Sequence, residues 1–363
     1  MSVLTQDGVD LEVLVIDDGS TDQTRSVLLA QVTDLRVRYI AQSNLGRSAA
    51  RNHGISVARG EFVGFLDSDD LYLPNCLQNH LNVFRDCPQT GLTVGGYAYL
   101  DEAGGVQGER QPWSECADLS LVGWLFNCLA MPGSILVRRQ WLEHVGGFDR
   151  QCEIAEDWDL FLRLAQAGCE MRWVKTSVCQ YRQHSGNSFR TLTLHHQGSL
   201  QALRKLFDST NLDSPVRENS TQAVAQAHAL FARRALALNQ LALFQSYLRQ
   251  AVQLRPNLTR DERIDLTQFV LTSNSPRALS VEARAILQIE LGTQPVELRQ
   301  AQARVQMGLF FKSQQTGTTQ QAIRHLGSAL RLDPHWLLNR GVLSFSVRVF
   351  LGVFNKSRIG PLA

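Results

Sequence analysis

The sequence lacks several patterns that would assign it to common protein classes. Its seven cysteines are an odd number and include no C-x-x-C pair, which argues against a zinc site or a disulfide framework and for reduced thiols in a reducing compartment. Charge of one sign is not in excess, with 36 basic and 34 acidic side chains, so nucleic acid is not an expected partner. No G-x-G-x-x-G turn follows a strand pattern, which excludes a dinucleotide-dependent oxidoreductase.

Long hydrophobic runs are also lacking. Met1 is followed by polar residues rather than by an apolar leader. The longest weakly charged segment, 341–354, carries Arg348 and is shorter than the roughly 20 residues of a membrane span. We expect it to form a terminal amphipathic helix that packs on its own domain or lies on a membrane surface. A cytoplasmic protein is therefore expected, either free or peripheral to the inner face of the membrane.

What the sequence does contain changes in character along the chain. In the first half, short β-rich runs alternate with helical patterns, which predicts an α/β domain over residues 1–194. Residues 195–363 are rich in Ala, Leu, Gln and Arg and predict an all-helical domain. Two segments there, beginning at Tyr247 and His325, share Leu, Ala, Leu and Pro at matching places. The second helix of a tetratricopeptide-type hairpin has this pattern, and a plain helical bundle is the alternative.

The first group of acids follows a predicted strand, "LEVLVID". Asp17 and Asp18 end this strand, and Gly19 allows a tight turn after it. Carboxylates at the carboxyl edge of an open α/β sheet lie where such folds bind ligands. They can accept hydrogen bonds from a nucleobase N–H or a ribose hydroxyl. The structural alternative is that Asp17 caps the next helix.

The second group ends the apolar run "EFVGFLDSDD". Asp67, Asp69 and Asp70 place three like charges at the end of a buried strand, where they repel one another. Two carboxylates in an Asp-x-Asp pattern suit a hard divalent cation whose other ligands are diphosphate oxygens and water. The pattern recurs by chance when it is alone, and it gains weight from the first group upstream.

The third group opens the amphipathic helix "EDWDLFLRL". Glu156 and Asp157 stand at its start, where the helix dipole favours carboxylates. An ionised Asp157 there can take a proton from a hydroxyl nucleophile, and N-terminal capping is the alternative. Arg182 and His184, after the last predicted strand, suit a diphosphate leaving group through positive charge or metal ligation, unless they lie in a solvated loop.

The motifs "DDGSTD", "NLGRSAARNHGI", "FLDSDD", "GGFD" and "EDWDLFLRL" follow one another in this order. The chain thereby resembles the family 2 glycosyltransferases of the GT-A fold over roughly its first half. The resemblance implies a mixed sheet sandwiched by helices. It also implies transfer of a sugar from a nucleotide-diphosphate donor to a glycan, lipid-linked or other hydroxyl acceptor, with inversion, as in polysaccharide biosynthesis.

The resemblance assigns nucleotide contacts to the first two groups of acids. By position in the motifs, Asp18 contacts the base and Asp67 the ribose. Arg51 in "ARN", or Arg47 before it, helps to hold the nucleotide.

The remaining two roles that the resemblance implies concern the reaction itself. Asp69 is expected to hold Mn²⁺ or Mg²⁺ against the diphosphate, and Asp157 to act as the catalytic base.

The helical half, residues 195–363, is expected to bind a protein partner or a membrane surface.

The beginning of the sequence departs from the family pattern. The family has a strand of the type "SVIIPTYN" and a helix before "DDGS", whereas this sequence begins "SVLTQDGVDLEVLVIDDGS". Either Met1 is internal and an upstream strand and helix are lost, or the chain is a degenerate and inactive relative that acts as an adaptor through its helical half. A sheet without that strand is expected to leave an unpaired edge.

Two further alternatives concern single residues. Haloacid-dehalogenase-type phosphohydrolases also place Asp-x-Asp after an apolar strand, but they have Thr or Val where Asp70 stands here. Trp113 and Trp124 are candidate platforms for stacking a sugar, and the alternative is that both belong to the core.

Overall fold

The computed structural model describes residues 2–184, 191–272, 280–315, 318–339 and 342. The chain divides into two compact units, residues 1–227 and residues 228–363. The predicted amphipathic segment 341–354 lies outside the described residues except for Val342. The domain boundary predicted at residue 194 stays a prediction; this residue lies within a helix, Leu192–Phe207, of the first compact unit.

The first unit alternates strands and helices as predicted. Its strands are β1 (Val13–Asp17), β2 (Val37–Ala41), β3 (Phe62–Gly64), β4 (Leu71–Tyr72), β5 (Leu92–Leu100), β6 (Val106–Arg110), β7 (Ile135–Arg138) and β8 (Met171–Arg182). Its helices are α1 (Thr24–Gln31), α2 (Arg47–Val57), α3 (Cys76–Asp86), α4 (Leu121–Leu125), α5 (Arg139–Val145), α6 (Glu156–Gln166), α7 (Leu192–Phe207) and α8 (Ser214–Glu218). Helix α9 (Ser220–Ala237) runs across the boundary of the two units.

The main sheet is mixed, in agreement with the predicted fold. Its strand order is β3-β7-β5-β8-β4, and β6 pairs with β5. Strand β5 runs parallel to β8 and antiparallel to β7 and β6. Because β5 and β8 are parallel, their carboxyl ends meet at one edge, where Arg182 and the turn after Leu100 lie together.

Strands β1 and β2 form a separate two-stranded parallel sheet. Among the described residues, β1 pairs only with β2, and β3 pairs only with β7 at the end of the main sheet. The residues Val13–Ile16 of β1 are half-buried rather than buried. Strand β1 and strand β3 therefore each have one edge without a strand partner in the described part of the chain, which agrees with the unpaired edge that the sequence predicts.

The core of the first unit surrounds helix α6. Its side chains Leu160, Phe161 and Leu164 are at most 1% exposed, as the helical spacing predicts. Trp124 is fully buried and donates its indole N–H to the sulfur of Met171 at 3.2 Å. Trp124 is therefore a core residue and is not accessible as a sugar platform.

Trp113 is half-buried above the β5 glycines. A Cβ built on Gly96 would lie 3.0 Å from the Trp113 ring and 2.7 Å from the carbonyl oxygen of Arg110. The Trp113 ring also packs edge-on against Trp173, with the ring centroids 6.4 Å apart. This ring therefore packs against the sheet and covers a strand position that only glycine fits.

The second unit is helical. After α9 it contains α10 (Leu241–Gln253), α11 (Arg260–Leu271), α12 (Val281–Leu291), α13 (Pro295–Gln315) and α14 (Thr319–Leu332), followed by the 3₁₀ turn Pro334–Leu338. The two similar segments fall at the ends of α10 and α14, and their Leu248 and Ala251, like Leu326 and Ala329, are buried. Within the described residues, no helix combines the length and apolarity that crossing a membrane requires. All seven cysteines are free thiols, as predicted.

Candidate active site

The end of β1 carries the first two predicted acids, which have different surroundings. Asp17 is buried and accepts a hydrogen bond from the backbone N–H of Ser20 at 2.7 Å. The hydroxyl of Tyr39 also donates to Asp17. Both hydrogen bonds lower the pKa of Asp17 below its ordinary value, and the bond from Tyr39 has the larger effect. Asp17 thus orders the turn after β1 but does not cap α1, whose N-cap is Gln23 and has no side-chain hydrogen bond.

Asp18 is half-buried and fastens the loop that leads into α2. Its Oδ1 accepts from the backbone N–H of Leu45 at 2.9 Å and from the side-chain amide of Gln42 at 2.7 Å. Its Oδ2 accepts from the backbone N–H of Gly46 at 2.9 Å. Gly46 has a φ of +88°, which an L-residue seldom adopts. These three hydrogen bonds therefore hold the carboxylate of Asp18 in one orientation. They also join it to Gly46, the residue directly before Arg47.

Arg51, on α2, connects the second and third groups of acids. Its Nη2 donates to Asp67 Oδ1 and its Nη1 to Glu156 Oε1, both at 2.9 Å. Its guanidinium carbon lies 5.2 Å from the centre of the Phe148 ring. The side chain is only 12% exposed, so the two charge-assisted bonds are partly shielded from water. Arg47, one turn earlier, lies 3.6 Å from the same Glu156 oxygen.

The "GGFD" motif is fixed to α2 by the residue after Arg51. Asn52 donates its amide N–H to the carbonyl oxygen of Phe148 at 2.7 Å and accepts from the Phe148 backbone N–H at 2.8 Å. A Cβ on Gly147 would lie 2.4 Å from Asn52 Oδ1. Glycine at position 147 therefore lets this paired hydrogen bond form, and Phe148 is held under the Arg51 guanidinium.

Asp157 lies in the first turn of α6, beside Glu156. It is half-buried, and its Oδ1 accepts from the backbone N–H of Trp158 at 2.8 Å. Withdrawal from water and then the neighbouring charge of Glu156 raise the pKa of Asp157, against the lowering effect of Arg51 and Arg47. A carboxylate with a raised pKa is a stronger base than an ordinary aspartate.

The last two acids of "FLDSDD" contact the residues after β8. Asp69 Oδ2 lies 2.8 Å from His184 Nε2. Asp70 is buried and accepts from the backbone N–H of Arg182 at 2.9 Å, while burial raises its pKa to about 7. Arg182 Nε in turn donates to the carbonyl oxygen of Asp69 at 3.0 Å. Arg182 and His184, the candidates for contact with the leaving diphosphate, therefore adjoin the Asp-x-Asp turn.

The donor set around Asp69 fits a divalent cation. A carboxylate oxygen and an imidazole nitrogen 2.8 Å apart are close enough to bind one ion together. Both side chains are about one third exposed, so an ion and a diphosphate can reach them. The residues present thus agree with the chemistry that the sequence predicts for Asp69.

Another group with metal-ligand spacing includes Asp159 of α6. The ligand atoms of Asp149, Cys152 and Asp159 lie within 4.8 Å of one another. The ammonium of Lys205 donates to both carboxylates, at 2.9 Å in the case of Asp159. Burial raises the pKa of the Cys152 thiol to about 11, so this thiol is protonated at neutral pH. We interpret the group as a structural ion-pair cluster.

The structure brings most of the predicted site residues together. Asp67 and Arg51 are in direct contact, and Asp157 follows Glu156, the second partner of Arg51. Asp69 is two residues from Asp67, and Asp18 holds the loop before α2. Their individual roles stay predictions.

Sequence reasoning gave two residues of this arrangement no role of their own. Glu156 was read only with Asp157, and Asn52 was not singled out. Each stands directly beside a predicted residue, in "ED" and in "ARN", and this adjacency is the one signal that the sequence offered.

Comparison with known proteins identifies the family of the first part of the chain. Residues 1–146 match the model of Glycosyl transferase family 2. The chain is 32% identical over 201 residues to an uncharacterized glycosyltransferase of Nostoc sp., which covers 52% of this chain and 60% of that protein. It is 30% identical over 168 residues to chondroitin synthase of Escherichia coli, covering 46% of this chain and 24% of the synthase. The chain thus spans less than two thirds of the length of these relatives.

A solved structure has a similar fold over a longer part of the chain. TarS 1-349 of S. aureus, in complex with UDP-GlcNAc, superimposes with a TM-score of 0.54 at 18% identity and covers 81% of this chain and 87% of that one. The same TarS fragment in another crystal structure gives a TM-score of 0.51. The fold is therefore a GT-A-like mixed sheet with helices, followed by a helical second half.

Proposed function

We propose, from the premise that residues 1–146 belong to glycosyl transferase family 2, that the protein transfers a sugar from a nucleotide-diphosphate donor to a hydroxyl group, with inversion. The acceptor is a glycan, a lipid-linked saccharide or another hydroxyl compound. The observation that carries the proposal is the ion-pair chain from Asp67 through Arg51 to Glu156, directly beside Asp157. It supports one site formed by the carboxylates of two separate motifs and by an arginine of a third. The TarS structure holds UDP-GlcNAc, a donor of this class.

The nucleotide half of the donor is assigned to Asp18, directly after β1, and to Asp67, in the segment between β3 and β4. Asp18 contacts the base, and the backbone hydrogen bonds from Leu45 and Gly46 keep its carboxylate oriented. Asp67 contacts the ribose while Arg51 holds it in position. Arg51 and Arg47 add positive charge near the diphosphate.

The diphosphate half of the donor is assigned to Asp69. Asp69, together with His184, would hold Mn²⁺ or Mg²⁺, whose charge would offset the negative charge that develops on the leaving diphosphate. Asp70 and Arg182 hold the Asp-x-Asp turn against the end of β8, so the two ligating side chains stay adjacent.

Asp157 is the base of a single displacement. Its carboxylate takes the proton of the acceptor hydroxyl while that oxygen forms a bond to the anomeric carbon. The bond from the anomeric carbon to the diphosphate oxygen breaks on the opposite face, which inverts the configuration. The raised pKa of Asp157 strengthens it as a base at neutral pH.

The test separates donor binding from turnover. Nucleotide-diphosphate sugars are titrated by calorimetry with and without Mn²⁺, and release of the nucleotide diphosphate is measured with candidate acceptors. We expect D157N to keep the donor affinity within about twofold and to lose a hundred- to ten-thousand-fold in turnover, the usual contribution of a general base. E153Q, at an exposed acid three residues before Glu156, is the matched control and should turn over normally.

Two outcomes would contradict the proposal. Normal turnover by D157N would show that another group is the base. If no nucleotide sugar binds more tightly with Mn²⁺ than without it, the chain is instead an adaptor that retains the fold alone.

A further inference from the structure

The two compact units carry opposite formal charge. Residues 1–227 contain 27 acidic and 19 basic side chains, a net charge of −8, whereas residues 228–363 contain 7 acidic and 17 basic side chains, a net charge of +10. The near-neutral total of the whole chain conceals this difference. The helical unit therefore attracts anions over distances of about 10 Å at moderate ionic strength.

The helical unit also contains a pocket of about 480 Å³, within the range of roughly 300–1,000 Å³ that is usual for small-molecule sites. Helices α11 and α13 and the 3₁₀ turn after α14 form its walls. The side chains that decide its chemistry are Arg260, Asp261, Gln300, Arg304, Asp333 and Trp336. All of these belong to the second unit.

Several of these side chains are already oriented. Arg260 Nη2 donates to Gln300 Oε1 at 3.1 Å, and Arg304 Nη1 donates to Asp265 Oδ1 at 2.6 Å. The Arg260 side chain is 58% exposed and that of Arg304 37% exposed, so both guanidinium groups remain accessible to a ligand. A site whose groups are already held loses less conformational entropy on binding.

The composition of the lining discriminates between classes of ligand. The guanidinium groups recognise a carboxylate, sulfate or phosphate. Asp261 and Asp333, in the same wall, accept hydrogen bonds from hydroxyl groups and repel a chain of closely spaced phosphates. Trp336 is half-buried against the core of α13 and α14, which leaves part of its ring to pack against an apolar face. Sugar rings combine hydroxyl groups at their edge with C–H groups on their faces.

We propose that this pocket binds an anionic saccharide, that is, a sugar unit bearing a carboxylate or a sulfate, within an acidic glycan chain. The positive charge of the helical unit attracts the chain, Arg260 and Arg304 bind the acidic group, and Trp336 packs against a ring. Binding here is independent of the transfer proposed above and needs neither a donor nor a metal.

The test uses hyaluronan hexasaccharide as the acidic probe and chitohexaose as the neutral one, with the full chain. Trp336 is the only tryptophan in residues 228–363, so binding at the pocket should change the tryptophan fluorescence, and this change should disappear in W336F. We expect R304Q to weaken binding of the acidic probe on the order of tenfold, as the loss of a charge-assisted hydrogen bond implies. R284Q, which removes an equal charge from an exposed position on α12, should change the affinity less than about twofold by the same reasoning.

Three results would overturn the proposal. Equal weakening by R304Q and R284Q would mean that diffuse charge, and not the pocket, holds the glycan. Equal binding of chitohexaose would remove the role of the acidic group. Binding to phosphatidylglycerol vesicles without any binding of the hexasaccharide would point to a membrane surface instead. D157N, measured in parallel, should bind the hexasaccharide like the natural chain, so failure of the transferase proposal would be seen separately.

Discussion

Among single residues, Arg51 best explains how the motifs form one site. Its two donor groups and the face of its guanidinium contact three different motifs, "FLDSDD", "EDWD" and "GGFD". Asp67 and Glu156 are like charges, and the shared cation allows them to lie near each other. Substitution of Arg51 by a neutral residue would leave Glu156 without its nearest ion-pair partner, although the Glu156 side chain is only 6% exposed.

The two glycines of "GGFD" allow a prediction at the residue scale. Both have positive φ, +77° at Gly146 and +69° at Gly147, but an added Cβ meets nothing within 4 Å at Gly146 and meets Asn52 Oδ1 at Gly147. We expect G146A to lower the free energy of unfolding by about 1 kcal/mol, from the left-handed backbone alone. G147A should cost clearly more, because it also separates Asn52 from Phe148.

Urea unfolding of the two variants gives the comparison directly, with G146A as the matched control for backbone conformation. Equal losses of stability would show that the paired hydrogen bond of Asn52 does not fix the motif.

At the element scale, the contact of α3 with the main sheet makes stability depend on pH. His80 Nδ1 lies 2.8 Å from the hydroxyl oxygen of Thr93, and that hydroxyl donates to the carbonyl oxygen of Leu136. The histidine must therefore donate through Nδ1–H. Its Nε2 is buried and has no hydrogen-bond partner. Burial lowers the pKa of His80 from 6.5 to about 3.

The sign of the effect follows from proton binding. Between about pH 6.5 and pH 3 the unfolded chain binds a proton at His80 and the folded chain does not, so stability falls as the pH falls. The slope from this group reaches at most about 1.4 kcal/mol per pH unit. H80N keeps an N–H donor without titrating, so the stability difference between the natural chain and H80N should shrink or reverse on acidification. The measurement is urea unfolding at pH 7, 6, 5 and 4.

A histidine at the surface provides the control for this experiment. H144N makes the same change of residue type at an exposed position at the end of α5 and is the matched control. A stability difference for H80N that is constant from pH 7 to pH 4 would contradict the role of the buried ring.

Element boundaries show where the sequence was sufficient and where it was not. Helix α6 and its core side chains were predictable from spacing, because its apolar positions recur at helical intervals. Helix α1 begins at Thr24, after a turn in which the Asp22 carboxylate accepts from the Thr24 backbone N–H. Strand β3 ends at Gly64. At the next residue, Phe65, the backbone carbonyl oxygen accepts a hydrogen bond from the hydroxyl of Tyr72.

The candidate site, like the element boundaries, contains features that the sequence predicts and features that it does not. That Asp18 directly follows a strand and that Asp157 lies at the start of a helix was predictable, because local patterns determine those positions, whereas Asp69 lies five residues after β3 ends at Gly64. The partners Arg51–Glu156 and Asp69–His184 were not readable, because residues far apart in the chain meet only after folding. Ion pairs of this kind have no periodicity that a sequence could display.

At the scale of the whole molecule, the separation of the two sheets has the largest consequence. In the β1–β2 ladder, the backbone N–H of Val13 donates to the carbonyl oxygen of Arg36, and the carbonyl oxygen of Asp17 accepts from the backbone N–H of Gln42. Because backbone groups alternate in direction along a strand, those of Leu14 and Ile16 face the other edge of β1. In the described part of the chain that edge has no strand partner, and neither has the free edge of β3. The loop after β1 carries Asp18, so an edge that frays would also loosen the nucleotide side of the site.

This arrangement yields a prediction about an added strand. A chain extended ahead of residue 1 by a Val- and Ile-rich strand of about six residues, the usual strand length, offers backbone partners to the edge of β1 or of β3. We expect the extended chain to melt at a higher temperature and to bind nucleotide diphosphates more tightly, because the strand would order β1 and with it Asp17 and Asp18. A matched extension of Gly and Ser, which forms no strand, is the control. If the two extensions give equal melting temperatures and equal nucleotide affinities, the free edges do not limit the stability of the site.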